Sequence, residues 1–470
     1  MQEDTVDFVC AGEGEETVVD FFKRLLRNEG VLLHEIPGVC YKQDGKLIQN
    51  PEHPLLHDLN DLPQWDDRLL LPQYTGKSEQ KTPNNYFMPV EVGRGCPFNC
   101  TFCSTSRCWH RTYRLKNAKR IVSDIKYFKE KFGYTSFLLS HDALTANKSL
   151  ITEMCDEIIK EDLQITWECS TRIDCMTPKL IDKMKESGLR HVHMGLETGS
   201  ERMQKLTNKN LDLSKTIETV KLLLSKKIIT TIFFIYGFPE ETEEDFNKTL
   251  EMIFDLCDLG AQDIQLIYCT FSPGTVITQK YYDQLVFDPE LEMLGLTYFG
   301  CKEEIDLLAQ HKALYTTFYQ MHNKVRDEYV YAKYISLLYQ RFPKTARYVR
   351  YLYNGNYLAF YKDFEANNMD VIQQGIQTLN EQIKKDPLTL MLKTIQHISD
   401  PMAAKVRDLL SYEAELRRVS GAPNGTVSIQ KYKFKYKDLL EKKTLDQFAD
   451  GQSIIIIQKE NDQTIINSNG

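Results

Sequence analysis

The chain has 470 residues, 42% of them hydrophobic and 26% charged, with a formal net charge of −8. This is ample material for two or three globular domains, and the acidic balance excludes large nucleic acids as a default partner, since phosphate binding calls for a basic face. No apolar run reaches the roughly 18 residues of a spanning helix, the start Met1-Gln2-Glu3-Asp4 lacks the basic opening of a signal peptide, and the 12 cysteines follow no disulfide framework, so a cytoplasmic protein with no membrane segment is expected.

Residues 1–75 predict a partial α/β segment. A short apolar strand, Val6–Cys10, meets a Gly12-Glu13-Gly14-Glu15 turn and a helix over about Val18–Asn28. Two short segments, Val31–Ile36 and Gly38–Lys42, precede the linker Asp58-Leu59-Asn60-Asp61-Leu62-Pro63.

Residues 85–300 alternate strand and helix. Strands are predicted at Pro89–Gly93, Ser136–Leu139, Ile165–Cys169, His191–Leu196, Ile229–Tyr236 and Asp263–Thr270. Between them lie helices over Ala118–Phe132, Lys148–Lys160, Pro178–Ser187, Ser214–Lys226 and Thr242–Leu256. Such alternation implies right-handed βαβ units and a parallel sheet, and about six units are too few for a closed eight-fold barrel.

Residues 302–420 read as helical and are crowded with tyrosines, among them Tyr329, Tyr334, Tyr339, Tyr357 and Tyr361, interleaved with Lys324, Arg326, Arg341, Lys344, Arg347 and Arg350. A tyrosine-rich core with a solvated basic face is the plainer reading; a basic, aromatic substrate surface is the sharper one. Residues 425–470 form a small tail with two β-like runs, Val427–Lys433 and Ser453–Gln458, and a polar end.

The chemistry-bearing feature is Gly93-Arg94-Gly95-Cys96-Pro97-Phe98-Asn99-Cys100-Thr101-Phe102-Cys103, three thiols at C-x3-C-x2-C spacing. Iron–sulfur clusters are held by cysteine thiolates, normally four per cube; three leave one iron open. A zinc site completed by Cys108 and His110 is the rival, although structural zinc usually draws on paired ligand elements. The loop resembles that of radical S-adenosylmethionine (SAM) enzymes, and further matches follow in order: Asp142 after the second strand, Arg172 after the third, Met194-Gly195-Leu196-Glu197-Thr198 like "GxES", Gly237-Phe238-Pro239-Glu240-Glu241-Thr242 like "GxPxET", and Pro273-Gly274-Thr275 like "PGT".

The resemblance is to the branch that usually carries an N-terminal cobalamin-binding domain. It implies an open (β/α)6 barrel with Cys96, Cys100 and Cys103 on a 4Fe–4S cluster and Phe102, Asp142, Arg172, Glu197, Gly237 and Pro239 around SAM. For Asp142 the plain alternative is a helix N-cap, for Arg172 a surface salt bridge. The expected function is reductive SAM cleavage and hydrogen abstraction from a peptide or small natural-product substrate, with a donor such as flavodoxin or ferredoxin. Residues 1–75 look like the last part of a cobalamin domain, and a doubly wound cofactor domain needs several βα units, so tight cobalamin binding is not expected. The alternatives are a cobalamin-dependent methyltransferase, a methylthiotransferase, for which only Cys10 and Cys40 precede the loop where three cysteines are needed, and a non-enzymatic iron–sulfur or zinc module.

Overall fold

The computed structural model describes residues 6–26, 32–64, 66, 87–261, 263–287, 302–342, 346–423, 426–432, 453–460 and 463–469. Met1 to Asp4, Asn28, Val31, Lys344 and Lys433, which figure in the readings above, lie outside the described residues.

The N-terminal segment comprises β1 (Phe8–Cys10), α1 (Glu15–Leu26), β2 (Val39–Gln43) and β3 (Lys46–Gln49). Its helix begins earlier than the apolar periodicity indicates, because Glu15 and Glu16 occupy a first turn whose dipole favours acids. The strands form an antiparallel meander in the order β1-β2-β3, not a piece of parallel sheet. A hairpin turn accounts for the β2–β3 pairing: Asp44 and Gly45 both have positive φ, 51° and 73°, as a type I′ turn requires.

The central unit starts with β4 (Met88–Glu91), β5 (Gly93–Arg94), α2 (Thr105–Cys108), β6 (Arg114–Leu115), α3 (Ala118–Phe132) and β7 (Ser136–Ser140). It continues with α4 (Lys148–Lys160), β8 (Thr166–Thr171), α5 (Pro178–Glu186), β9 (Leu189–Glu197), α6 (Glu201–Leu206) and α7 (Leu213–Ser225). It ends with β10 (Ile229–Tyr236), α8 (Glu243–Asp258), β11 (Asp263–Tyr268) and α9 (Val276–Tyr281). Six strands make one parallel sheet in the order β11-β10-β9-β8-β7-β4. β4 and β11 are its edges, which gives the open six-unit architecture expected.

Alternation along the strands divides the sheet into two faces. Trp167, Cys169, Val192, Met194 and Leu196 are buried on the helix side. Glu168, Ser170, His191, His193, Gly195 and Glu197 alternate with them and face the lumen. Burial of the outer set supplies most of the driving force, at roughly 25 cal/mol per Å² of apolar surface. The polar inner set is what leaves a usable interior.

The described residues of 302–420 are mainly helical, from Lys302–Gln310 to Pro401–Ser420, with a short strand, Tyr319–Gln320, paired to Val286–Phe287. Tyr329, Tyr334, Tyr339, Tyr357 and Tyr361 are buried and share one apolar core with the barrel; Phe254 of α8 stacks on Tyr339 at 3.8 Å. Lys324 pairs with Glu243, and Arg350 with Glu251 and Asp255. The plainer reading therefore holds: these tyrosines are core. The tail is an antiparallel sheet of Val427–Tyr432, Ser453–Glu460 and Gln463–Asn469; the supposed polar end supplies its third strand, alternating well enough to pair despite few apolar residues. Among the described residues no helix is long and apolar enough to cross a membrane.

Candidate functional site

The three-cysteine loop is pinched at its base. β5 and β6 pair antiparallel, Gly93 with Leu115 and Arg94 with Arg114, closing residues 95–113 into one excursion. Both arginines reach Glu13 of the N-terminal segment: Arg94 Nη1 donates to Glu13 Oε1 at 2.8 Å and Arg114 Nη2 at 2.9 Å. Glu13 also accepts from Leu56 N, and both guanidinium groups lie 5.7 Å from the Trp109 ring centre. The loop is stitched to the barrel mouth by Thr101 N donating to Thr207 O at 2.9 Å and Ile277 N to Thr101 O at 3.0 Å.

Cys96, Cys100 and Cys103 are free thiols that line one cavity of about 240 Å³ together with Phe98, Phe102, Thr105, Asp142, Ser170, Arg172, His193, Gly195, Glu197 and Lys209. It lies where strands β7, β8 and β9 end, the position at which parallel α/β sheets place ligands. Burial raises the pKa of the Cys96 thiol, as do the neighbouring Cys103, Cys100 and Asp142. Burial likewise raises Cys100, while Lys209 and Arg172 oppose it. Three crowded thiols beside two fixed cations form a donor set that fits a cationic iron–sulfur core. Cys108 is exposed at the end of α2, and His110 pairs with Glu52 at 3.1 Å; neither lines the cavity, so the zinc set imagined from spacing is not assembled.

The charged residues around the thiols hold one another in place. Arg172 is buried, with Nη2 donating to Asp174 Oδ2 at 2.9 Å and to Lys209 O at 2.8 Å; Nη1 stands 3.6 Å from Cys100 Sγ. Its guanidinium lies 3.9 Å from the Phe98 ring centre. The salt bridge of the plain reading is present, to the 40% exposed Asp174, but it is one part of a larger network around a buried guanidinium. Lys209 Nζ donates to Glu197 Oε1 at 2.9 Å. Glu197 has φ +68°, an uncommon left-handed conformation for a non-glycine residue, which turns its carboxylate back over Gly195. A Cβ on Gly195 would meet Glu197 Oε1 at 2.1 Å, so the glycine of "GxE" is what admits the glutamate. Asp142 accepts from Thr105 Oγ1 at 3.5 Å; the N-cap of α4 is Asn147, so Asp142 is not spent on capping. Burial raises the Asp142 pKa.

Of the residues singled out in sequence, the structure brings Cys96, Cys100, Cys103, Phe102, Asp142, Arg172 and Glu197 to this one cavity. Gly237 and Pro239 are not among its lining. Gly237 has φ +78° and faces Arg326 of the helical region, whose Cβ would be 3.2 Å from an added methyl, so its close approach is to protein. Pro239 lines an adjacent depression of about 200 Å³ with Thr101, Phe238 and Tyr281. The two are bridged by an edge contact between Phe102 and Phe238, 5.8 Å between centres. Glu241 closes the turn by accepting from Gly237 N at 2.6 Å, and burial lifts its pKa to about 8. Lys209, Phe98, Ser170 and His193 were missed. Lys209 sits between Asn208 and Asn210, both at positive φ, and the Asn-Lys-Asn turn signal could have marked the position but not the partner.

Comparison with known proteins agrees with the fold. Residues 90–253 match the model of the radical SAM superfamily. The chain is 27% identical to an uncharacterized methyltransferase of Pyrococcus horikoshii over 332 residues, 67% of each chain. It is 27% identical to the anaerobic magnesium-protoporphyrin IX monomethyl ester cyclase of Rubrivivax gelatinosus over 262 residues, 53% of this chain and 45% of that one. Among solved structures, the cobalamin-dependent SAM radical enzyme OxsB with aqua-cobalamin bound superposes with a TM-score of 0.51 at 14% identity, covering 88% of this chain and 64% of OxsB. The chain thus spans two thirds of the first relative and about half of the second.

Proposed function

We propose that this chain, whose residues 90–253 match the radical SAM superfamily model, cleaves SAM reductively to activate an sp3 carbon of a peptide or small natural product held at the mouth of the barrel lumen. The observation that supports this reading is the convergence of Cys96, Cys100, Cys103, Asp142, Arg172 and Glu197 on a single cavity. A 4Fe–4S cluster on the three thiolates would supply the electron that divides SAM into methionine and a 5′-deoxyadenosyl radical.

The chain's own groups prepare that site. Arg172 and Lys209 place two cations beside the thiolates. Asp174 fixes the Arg172 fork; Nη1, which stands 3.6 Å from Cys100 Sγ, has a second proton for a methionine carboxylate. Asp142 and Glu197 are the acceptors available to the ammonium and ribose hydroxyl donors of SAM, with Glu197 aimed by Lys209. Phe102, backed by Phe238, offers a flat wall for adenine, and the Gly237–Pro239 turn lies behind it. An external one-electron donor of the flavodoxin or ferredoxin type completes the reading.

A second outcome, methyl transfer, is favoured by the name of the Pyrococcus relative. The described N-terminal strands form an antiparallel meander, which lacks the parallel strand ends that a doubly wound fold offers a nucleotide-like cofactor; we assign cobalamin no residues there. Anaerobic incubation of the reconstituted protein with SAM and dithionite tests both readings. 5′-Deoxyadenosine is expected for hydrogen abstraction, S-adenosylhomocysteine for methyl transfer; neither product under any reductant would sink the proposal.

A further inference from the structure

Below the cysteine cavity, the lumen holds a second constellation that SAM cleavage does not require. Glu168 of β8 and His191 and His193 of β9 bring one carboxylate oxygen and two imidazole nitrogens within 4.8 Å of one another. Glu168 Oε2 is 3.2 Å from His191 Nδ1 and 3.7 Å from His193 Nε2. The rings are 4.1 Å apart, centre to centre. All three side chains are largely screened from solvent, at 11%, 18% and 26% exposure.

Hydrogen-bond direction decides what this cluster can hold. Thr231 Oγ1 donates to Asp263 Oδ2, because a carboxylate only accepts. A hydroxyl has one proton, so Thr231 must accept from His191 Nε2, which is 2.8 Å away. Nε2 therefore carries a proton, and Nδ1 points at Glu168 Oε2 at 3.2 Å. That gap is closed either by a second proton, as an imidazolium–carboxylate pair, or by a metal ion on the Nδ1 lone pair of the neutral ring. His193 Nε2, too far from Glu168 for a hydrogen bond, supplies a further donor to the same point.

We infer that Glu168, His191 and His193 form a binding site for one divalent ion of the zinc class, with an open position toward the cysteine cavity. A tetrahedral ion with ligands at about 2.0–2.2 Å separates its donor atoms by about 3.3–3.6 Å, and the two distances to Glu168 Oε2 bracket that range. Two imidazoles and a carboxylate plus one vacancy is the donor set of open zinc and facial iron(II) sites. Asp263 and Thr231 provide the outer support that fixes the metal-facing tautomer of a ligating histidine. His193 lines the cysteine cavity as well, so the vacancy faces the space in which a substrate would sit, and it would take water or an anionic substrate oxygen.

The test uses the full chain after anaerobic cluster reconstitution, dialysed against zinc sulfate and analysed for zinc and iron. One zinc per chain beyond the cluster iron is expected. Glu168→Gln and His193→Gln should each lose the zinc while keeping the iron, which also reports that they fold. Thr231→Val, which removes the hydroxyl that positions His191, should weaken zinc affinity roughly 10–100-fold. Zinc-edge X-ray absorption should give a nitrogen/oxygen shell at about 2.0–2.1 Å with imidazole scattering. A sulfur shell near about 2.3 Å would place the zinc on the cysteine loop and overturn the site. So would zinc content at background, or equal zinc in wild type and both ligand variants.

Discussion

Arg172 Nη1 stands 3.6 Å from Cys100 Sγ, and Cys100 is the buried member of the three loop cysteines. A permanent cation beside the least hydrated thiol offsets the cost of holding it as a thiolate, since burial alone disfavours the charged form. The contact links the end of β8 to the loop 72 residues earlier in the chain, so the loop sulfurs and the barrel mouth are positioned as one unit.

Replacing Cys96, Cys100 or Cys103 with alanine should abolish 4Fe–4S absorbance and SAM cleavage, while Cys108→Ala, at an exposed position outside the cavity, should leave both intact. Iron and sulfide content with the visible spectrum provides the check. Loss of the cluster in the Cys108 variant would show that the ligands are misassigned.

Glu197→Ala and Arg172→Ala should weaken SAM binding while the cluster still assembles. Each loses a charged hydrogen bond worth about 1.5–3 kcal/mol, which corresponds to roughly ten- to more than a hundredfold in Kd. Glu197→Ala also strands Lys209 without its carboxylate partner. Calorimetric titration of SAM measures this, and unchanged affinity in both variants would reduce the pair to scaffold.

The buried Glu241 makes a pH-dependent contribution to stability. Burial lifts its pKa to about 8, whereas the unfolded chain releases the proton near an ordinary glutamate value of about 4.3. Between those values the folded state binds more protons, so this contribution is full below about pH 4.3 and is lost as pH rises toward 8. Glu241→Gln should flatten the fall in Tm expected of the wild type between about pH 5 and pH 8. A parallel fall in both proteins would assign the trend elsewhere.

Glu13→Ala should destabilise the chain by less than the roughly 3–5 kcal/mol of a fully stranded buried charge, because Arg114 loses its carboxylate while Arg94 keeps Glu15 and Glu91. Those arginines sit on the ribbon that pinches the cysteine loop, so cluster retention should fall in step with stability. Urea unfolding followed by cluster absorbance tests the coupling; a variant as stable as wild type would mean that the knot contributes nothing.

Much of the fold was legible because its determinants are local. The pattern marks Ala118–Phe132, Lys148–Lys160 and Ile229–Tyr236 with the bounds that the elements have. Asn117 and Asn147 cap the two helices, and a β-branched and aromatic run builds the strand. The Asp44–Gly45 hairpin was equally local and was overlooked. The cysteine loop was legible because its three ligands lie within eight residues, so no long-range contact is needed to bring them together.

The sequence by itself determined the alternation of elements, the three-thiol loop and the residues at strand ends. Only the tertiary structure decided which side chains meet. Glu168 faces His191, and Thr231 lies between His193 and Asp263, through the register of three parallel pairings. That register includes an irregularity at Trp167 and Glu168. Because side chains alternate with a period of two, a slip of one residue would send Glu168 into the helix layer. Lys209 reaches Glu197 by the same kind of long-range agreement: the partner lies 12 residues away, across a helix and a turn whose closure no local signal encodes.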